Sequence, residues 1–324
     1  MKPTIRDVAR VAGVSTTTVS RVLNNRGYIS KKTRTNVYTA INNLNYLPND
    51  LARSLFHKKT NTIGLLVPNT SNAFFGELTF EIQGFCESLD YKIILCNTLN
   101  HIDKESKYLE TLSRSQVDGL IMSTSNPHIL HNCEQNLPIV TIDYYISKKI
   151  PLVSSDHYSG SLQAVELLLS KGCQHIIYVS TSTAIEQSST LKRNAYEDGM
   201  KSQGKTSIIY EYSGYEEKCK VICKLFDENK KVDGIFCSDD ITATAVITEA
   251  KKRGISIPNH LKVIGYNGTE VSQILCPGLT TVQQPIDLIA KTAVKSLLDV
   301  IDGKVNTNPT KFHLPMKIME GNTT

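Results

Sequence analysis

DVARVAGVSTTTVSRVLNN, residues 7–25, decides how this chain is read. Val8, Ala12, Val19, Val22 and Leu23 are spaced to meet between two short helices, with Gly13 at the turn between them. Thr4 with Asp7 three residues on is a capping-box start. Glycine takes positive φ cheaply, so Gly13 ends the first helix near Ala12. Ser15 caps a second helix over Thr16–Asn24. Ser15, Thr16, Thr17, Ser20 and Arg21 are left on its outer face, where short hydroxyls and a guanidinium suit phosphates and major-groove base edges. Arg21 is long enough to take guanine O6 and N7 together. The alternative is a plain helical hairpin with a solvated Ser/Thr face, which would need no excess of charge.

Charge decides between them. Residues 1–60 hold eleven Lys/Arg and two acids, Asp7 and Asp50, a balance of +9. The rest of the chain is at −4, so the whole stands at only +5. A cationic head on a slightly acidic body points the head at a polyanion. Ser30 caps a third helix whose Val37, Ala40, Ile41 and Leu44 form one apolar stripe. Pro48-Asn49 breaks the chain, a short segment 50–56 follows, and 57–61 reads as a polar linker.

From residue 62 the pattern becomes strand and helix in alternation. TIGLLVP (62–68), YKIILCN (91–97), DGLIMST (118–124) and PIVTID (138–143) form one set. HIIYVS (175–180), SIIYEYS (207–213), DGIFCSD (233–239) and LKVIGYN (261–267) form a second. Such alternation predicts an α/β body with parallel sheets and helices on both faces. The echo of VDGLI (117–121) in VDGIF (232–236) predicts two similar lobes joined near 153–156. The helix over 286–302 and the strand-like segment after Lys311 could cross between them.

At 324 residues, with 21% charged and 40% hydrophobic residues, the composition is that of a globular protein of two or three domains. No apolar run is long enough for a bilayer, no signal-peptide core is visible, and a cytoplasmic protein is expected. The eight cysteines (86, 96, 133, 173, 219, 223, 237, 276) read as reduced structural residues. Cys219 and Cys223 are one helical turn apart, but no further ligand completes a metal set, and no cofactor is expected. No nucleophile elbow, Walker A loop, dinucleotide fingerprint or zinc signature supports an enzyme.

TIRDVARVAGVSTTTVSRVLNN (4–25), TRTNVYTAINNLNYLPNDLARSL (33–55), TIGLLVPNTSNAFF (62–75), GYNGT (265–269) and LTTVQQP (279–285) together resemble the LacI/GalR family of bacterial transcription regulators over nearly the whole chain. IILCNTLNHIDKESKYLETL (93–112), VDGLIMSTSN (117–126), IPLVSSDHYSG (150–160), KGCQHII (171–177) and VDGIFCSDDITA (232–243) are most similar to repressors of sucrose operons. Ribose-operon repressors, sharing GY-x-x-x-x-TR (27–34), come next.

The resemblance implies a helix-turn-helix head over 1–47, a hinge helix and linker over 48–60, and an effector-binding and dimerisation body over 61–324. The first lobe would take about 61–156 with 286–312, the second about 157–285. It implies a homodimer on near-palindromic double-stranded operator DNA, no membrane, and allosteric control by a sugar or sugar phosphate. Asn49, Ala52, Arg53 and Leu55 match the hinge helix, with Leu55 as the minor-groove wedge. Thr4, Asn25, Thr33, Arg34 and Arg53 are the candidate phosphate anchors.

An effector cleft is expected between lobes at strand C-terminal ends. Strand ends nominate Asn69, Ser71, Phe74, Phe75, Asp143, Asp239 and Asn267, and the family's ligand-contacting arginine matches Arg193. Asp143 and Asp239 could instead cap following helices, Phe74 and Phe75 could be core, and Arg193 could be a surface ion pair. Asn267 stands where the family usually has aspartate, which favours an anionic ligand. A transport-type sugar-binding protein would share the body but has no use for the basic head.

Overall fold

The computed structural model describes residues 3–46, 59–99, 101–123, 137–182, 187–304 and 311–324. It divides into two compact units, 1–60 and 61–324.

The first unit is three helices: α1 (Ile5–Ala12), α2 (Thr16–Leu23) and α3 (Lys31–Leu44). The caps set their ends. The Thr4 backbone N–H and hydroxyl both donate to the Asp7 carboxylate, at 3.0 and 2.7 Å. Gly13 closes α1 in the left-handed conformation at φ 67°. The hydroxyls of Ser15 and Ser30 accept from Thr18 N and Thr33 N. Val8, Ala9, Ala12, Val19, Val22, Val37 and Ala40 form the core, with Leu23, Ile41 and Leu44 half-buried around it. Each Val here contributes roughly 1.5–3 kcal/mol by burial, so a head this small depends on its caps as well.

The second unit holds two six-stranded sheets. In chain order its elements are β1 (Thr62–Val67), α4 (Ala73–Ser88), β2 (Lys92–Asn97), α5 (Ile102–Arg114), β3 (Gly119–Met122), β4 (Ile139–Ile142) and β5 (Leu152–Ser155). Then follow α6 (His157–Ser170), β6 (Ile176–Thr181), α7 (Gln187–Ser202), β7 (Ile208–Tyr212), α8 (Gly214–Glu228), β8 (Gly234–Cys237) and α9 (Asp240–Lys252). The last are β9 (Lys262–Asn267), α10 (Glu270–Leu275), β10 (Thr280–Gln283), α11 (Ile286–Ile301), β11 (Lys311–Leu314) and β12 (Lys317–Met319).

The first sheet has the order β11-β5-β4-β3-β1-β2 and is parallel throughout. The second runs β12-β10-β9-β8-β6-β7 and is parallel except that β12 pairs antiparallel with β10. Both sheets are thus parallel but for that one edge strand, as the alternation of strands and helices predicts. The chain runs from β11 of the first sheet straight on into β12 of the second, which enters its sheet opposite in direction to β10. The central strands are buried on both faces, so they read as continuous apolar runs rather than alternating ones.

The chain passes between sheets three times: from β5 to α6, from β10 to α11, and from β11 to β12. Helix α11 belongs with the first sheet and packs on α4, β3, β4 and β5. Residues 317–324 belong with the second, which the expected range 157–285 did not contain. There Thr323 donates its hydroxyl to Val263 O and accepts from Thr280 N.

Seven of the cysteines lie among the described residues and all are free thiols; Cys219 is exposed rather than core. Burial raises the Cys86 and Cys173 thiols to about 11, so they are unreactive. Among the described residues no group of His, Cys, Asp and Glu is arranged to hold a metal ion. No described helix is long and apolar enough to cross a membrane.

Candidate nucleic-acid interface and effector cleft

In the head, the two ends of α2 are held by caps and its inner face by the core. Thr16, Thr17 and Arg21 therefore remain exposed together. Ser15 sits with them, but its hydroxyl is taken up by Thr18. Ser20 is half-buried and accepts from Asn24 Nδ2. Among the anchor candidates, Arg34 donates to Asn25 Oδ1 at 2.7 Å, and Asn25 is itself held at φ 49°. Thr33 exchanges a hydroxyl contact with Ser30 and Thr4 faces Asp7. Asn49, Ala52, Arg53 and Leu55 lie outside the described residues. Tyr28 was not anticipated: it is 100% exposed beside the α2–α3 turn. An aromatic ring left wholly in water on a cationic head is the signal that could have nominated it.

In the body, the residues just past the strand ends meet across the two sheets. Tyr145, beyond β4, donates its N–H to Gln187 Oε1 at 2.9 Å. Glu77 on α4 accepts from Glu270 N at 3.0 Å. Between them, Asp143 takes hydrogens from His157 Nε2 at 2.9 Å and Ser154 Oγ at 3.0 Å. Ser155 Oγ donates to Gln284 Oε1, and Gln284 Nε2 donates to Asn267 Oδ1, each at 2.8 Å. Asp143 and Asn267 both stand at positive φ, 58° and 100°, a conformation that Asp and Asn adopt more readily than most residues.

The structure sorts the remaining candidates. Asn69 Oδ1 accepts from Ser71 N, an Asx turn that shapes the loop between β1 and α4. Phe74 is core; Phe75 is half-buried and meets it edge-on with centroids 5.1 Å apart. Asp239 is the N-cap of α9: Thr242 N and Oγ1, Tyr212 Oη and Ser238 Oγ all donate to it. The capping alternative thus describes its role in the fold.

For Arg193 the structure shows the surface ion pair that the sequence left open as an alternative. Its guanidinium is engaged with Glu197 and Glu211 on the exposed side of α7. Lys192 faces inward, 9% exposed, on the same stripe as Ala195, Tyr196, Gly199 and Met200. Its Nζ donates to Ser238 O at 3.4 Å and lies 4.0 Å from the centre of the Tyr266 ring. Helical phase is the signal that could have nominated Lys192, which falls on the apolar face.

Electrostatics follow from these neighbours. Burial pushes the Asp143 carboxyl upward, but the charge and hydrogen bond of His157, with Ser154 and Lys192, outweigh it and leave the pKa below the ordinary value. Asp240 is buried beneath the site and its pKa is raised, chiefly by that burial. Thr281 Oγ1, Ser272 Oγ and Gly268 N donate to it. Gly265 makes room, since a Cβ there would stand 2.3 Å from Asp240 Oδ1.

A DNA-reading head joined to a two-lobed, ligand-binding body defines a class of regulator, and comparison with known proteins agrees. Residues 4–49 match the family of bacterial regulatory proteins of lacI type, and residues 165–324 match a periplasmic binding protein-like domain. The sucrose operon repressor of Streptococcus mutans is 41% identical over 98% of both chains. The ribose operon repressor of Halalkalibacterium halodurans is 36% identical over 99% of this chain and 97% of its own. A crystal structure of the lac repressor dimer bound to operator and an anti-inducer superposes with a TM-score of 0.89, covering 100% of this chain and 99% of that one at 24% identity. The chain belongs to the lacI family of bacterial regulatory proteins. These relatives are named as repressors, in line with the expectation of a regulator and not an enzyme.

Proposed function

We propose that this protein is a homodimeric, sequence-specific repressor of a sugar-utilisation operon, that the sugar is sucrose, and that a sugar or sugar phosphate bound between the lobes controls it. The observation that carries the reading is the exposed Thr16, Thr17 and Arg21 face of a doubly capped α2 in a +9 head. Arg21 reads a base, while Thr4, Asn25, Thr33 and Arg34 fix register on phosphates. Leu55, with Asn49, Ala52 and Arg53, supplies the minor-groove contact that the family resemblance implies. Such a regulator works in the bacterial cytoplasm at the nucleoid.

The effector residues are Asp143, Lys192 and Asn267 at the centre, with Asn69, Ser71 and Phe75 at the loop from β1. Asn267 in place of a carboxylate and a buried Lys192 favour a phosphorylated sugar over a neutral one. The ligand acts by binding one lobe arrangement more tightly, which shifts the population of DNA-competent dimers.

The dimer needs a self-complementary apolar face on each lobe. Phe80 on α4 is 74% exposed, and Ile94 and Leu95 are exposed on the neighbouring edge strand β2. On the second lobe Val271, Ile274 and Leu275 of α10 are exposed, as is Ile241 of α9. Apolar side chains in such groups mark surfaces that associate.

The test is operator binding with and without sucrose, fructose, ribose and their phosphates, together with a thermal-shift panel of the same compounds. A sugar that stabilises the protein and changes operator affinity supports the reading. No affinity for promoter duplexes under any of these conditions sinks it. A ribose-operon repressor is the second reading, favoured by the 36% identity to a protein of that name; ribose or its phosphate would then be the active compound.

A further inference from the structure

Where β5 turns into α6, the buried His157 ring spans the two lobes. Its Nε2 meets Asp143 Oδ1, of the first lobe, at 2.9 Å. Its Nδ1 meets Tyr266 Oη, of the second, at 2.8 Å. A carboxylate only accepts, so Nε2 carries the hydrogen; Nδ1 and the Tyr266 hydroxyl share the second bond, and the same hydroxyl reaches Met316 Sδ at 3.3 Å. His157 also stacks on Tyr266, with centroids 6.0 Å apart. Tyr266 leads on to Phe236, and Phe236 to Tyr178, deep in the second lobe.

The hydrogen bonds on Asp143 are lopsided. Oδ1 takes hydrogens from His157 Nε2, Ser154 Oγ and, more weakly, Ser155 N at 3.4 Å. Oδ2 receives none from the described residues, and the Asp143 side chain keeps 14% of its surface open against 1% for His157. One oxygen is thus locked and the other left to face a partner. At the far end, Lys192 Nζ lies over the ring whose hydroxyl His157 holds. A carboxylate of one lobe and an ammonium of the other are therefore joined through one imidazole and one phenol.

We propose that His157 is a positioning residue for the effector: it orients Asp143 so that Oδ2 accepts a sugar hydroxyl, and through Tyr266 it couples that carboxylate to Lys192 across the hinge. The proposal rests on the reading that the effector sits between the lobes. No other side chain of similar size offers two ring nitrogens at this span, each bonded to a different lobe. Because Asp143 and Lys192 belong to different lobes, a ligand that engages both reads the lobe arrangement directly.

The test is calorimetric titration of full-length protein with sucrose, fructose, ribose and their monophosphates, in wild type, His157→Asn, Asp143→Asn and the double variant. His157→Asn is expected to weaken the compound that binds wild type about tenfold. In the Asp143→Asn background the same change is expected to cost less than about twofold, because the group it positions is already altered. Losses that multiply, or wild-type affinity in His157→Asn, overturn the proposal while leaving the cleft reading intact. Binding of none of the compounds to wild type overturns both. Should His157→Asn unfold below the titration temperature, Tyr266→Phe decides, since it removes only the hydroxyl that His157 holds. A loss of about threefold or more that vanishes in the Asp143→Asn background is expected, and unchanged affinity overturns the coupling.

Discussion

Glu77 of the first lobe accepts the backbone N–H of Glu270, the opening residue of α10 in the second lobe, at 3.0 Å. The contact joins α4 to the short helix whose Val271, Ile274 and Leu275 are exposed. The first lobe and that apolar helix are thereby tied through one carboxylate.

Burial, with the nearby charges of Glu270, Glu81 and Asp240, raises the Glu77 pKa; the hydrogen bond from Glu270 offsets only part of this. A raised folded pKa means that folding favours the protonated form. Its stabilising contribution is complete below about 4.3, the ordinary glutamate value, and is lost as pH rises through the folded value. Glu77→Gln keeps a carbonyl acceptor and removes the titration. The variant should melt higher than wild type at pH 7, with the gap closing towards pH 4. A gap that stays constant with pH would show that Glu77 is not the titrating group.

Lys192→Met should weaken effector binding by roughly 10–100-fold, the cost of losing a buried charged donor of about 1.5–3 kcal/mol. Arg193→Ala, one residue on, should stay within about twofold, because its ion pairs are at the surface. Calorimetry on the two variants side by side checks this, and the reverse order of effects would restore Arg193 to the site.

Arg21→Ala should cost about 1–3 kcal/mol of operator affinity and relax preference at one base position. Tyr28→Ala, if the ring packs on the backbone, should weaken all duplexes alike. Anisotropy titrations against an operator library separate these outcomes; unchanged discrimination in Arg21→Ala would remove it from base readout.

Ile274→Lys places a charge on an exposed apolar helix. If α10 is part of the dimer face, sedimentation should show monomer while the melting temperature of the body holds. A dimer of undiminished stability would move the interface elsewhere.

Asp240→Ala should destabilise the second lobe by about 2–5 kcal/mol, since three buried donors, Thr281 Oγ1, Ser272 Oγ and Gly268 N, lose their acceptor. Chemical denaturation measures the loss. A cost below 1 kcal/mol would show that the three groups find water.

Local chemistry made much of the fold legible. Thr4, Gly13, Ser15 and Ser30 mark helix ends from the sequence because a cap involves residues only a few positions apart. The apolar runs announce themselves as strands because both faces of each sheet are covered. What escaped was set by distance along the chain. His157 bonds Tyr266 over 109 positions, and Ser155 bonds Gln284 over 129. No local pattern marks these as partners. The antiparallel β12 is three residues long, too short to show a period. Lys192 escaped for a different reason: helical phase, and no family motif, puts it on the inner face of α7. Asp239 stood at a strand end, as a ligand residue would, but the same position is also where a helix needs its first backbone N–H groups satisfied.

Both sheets take an outer strand from the last fourteen residues, β11 for the first and β12 for the second, and the first sheet is covered by α11 just before them. During translation, β5 and β10 must wait for edge partners that are made only after α11. Neither lobe is finished while the other is still being made, so the body matures as one late event rather than lobe by lobe. Until α11 is made, the faces of β3, β4 and β5 that it covers in the folded chain lack that cover.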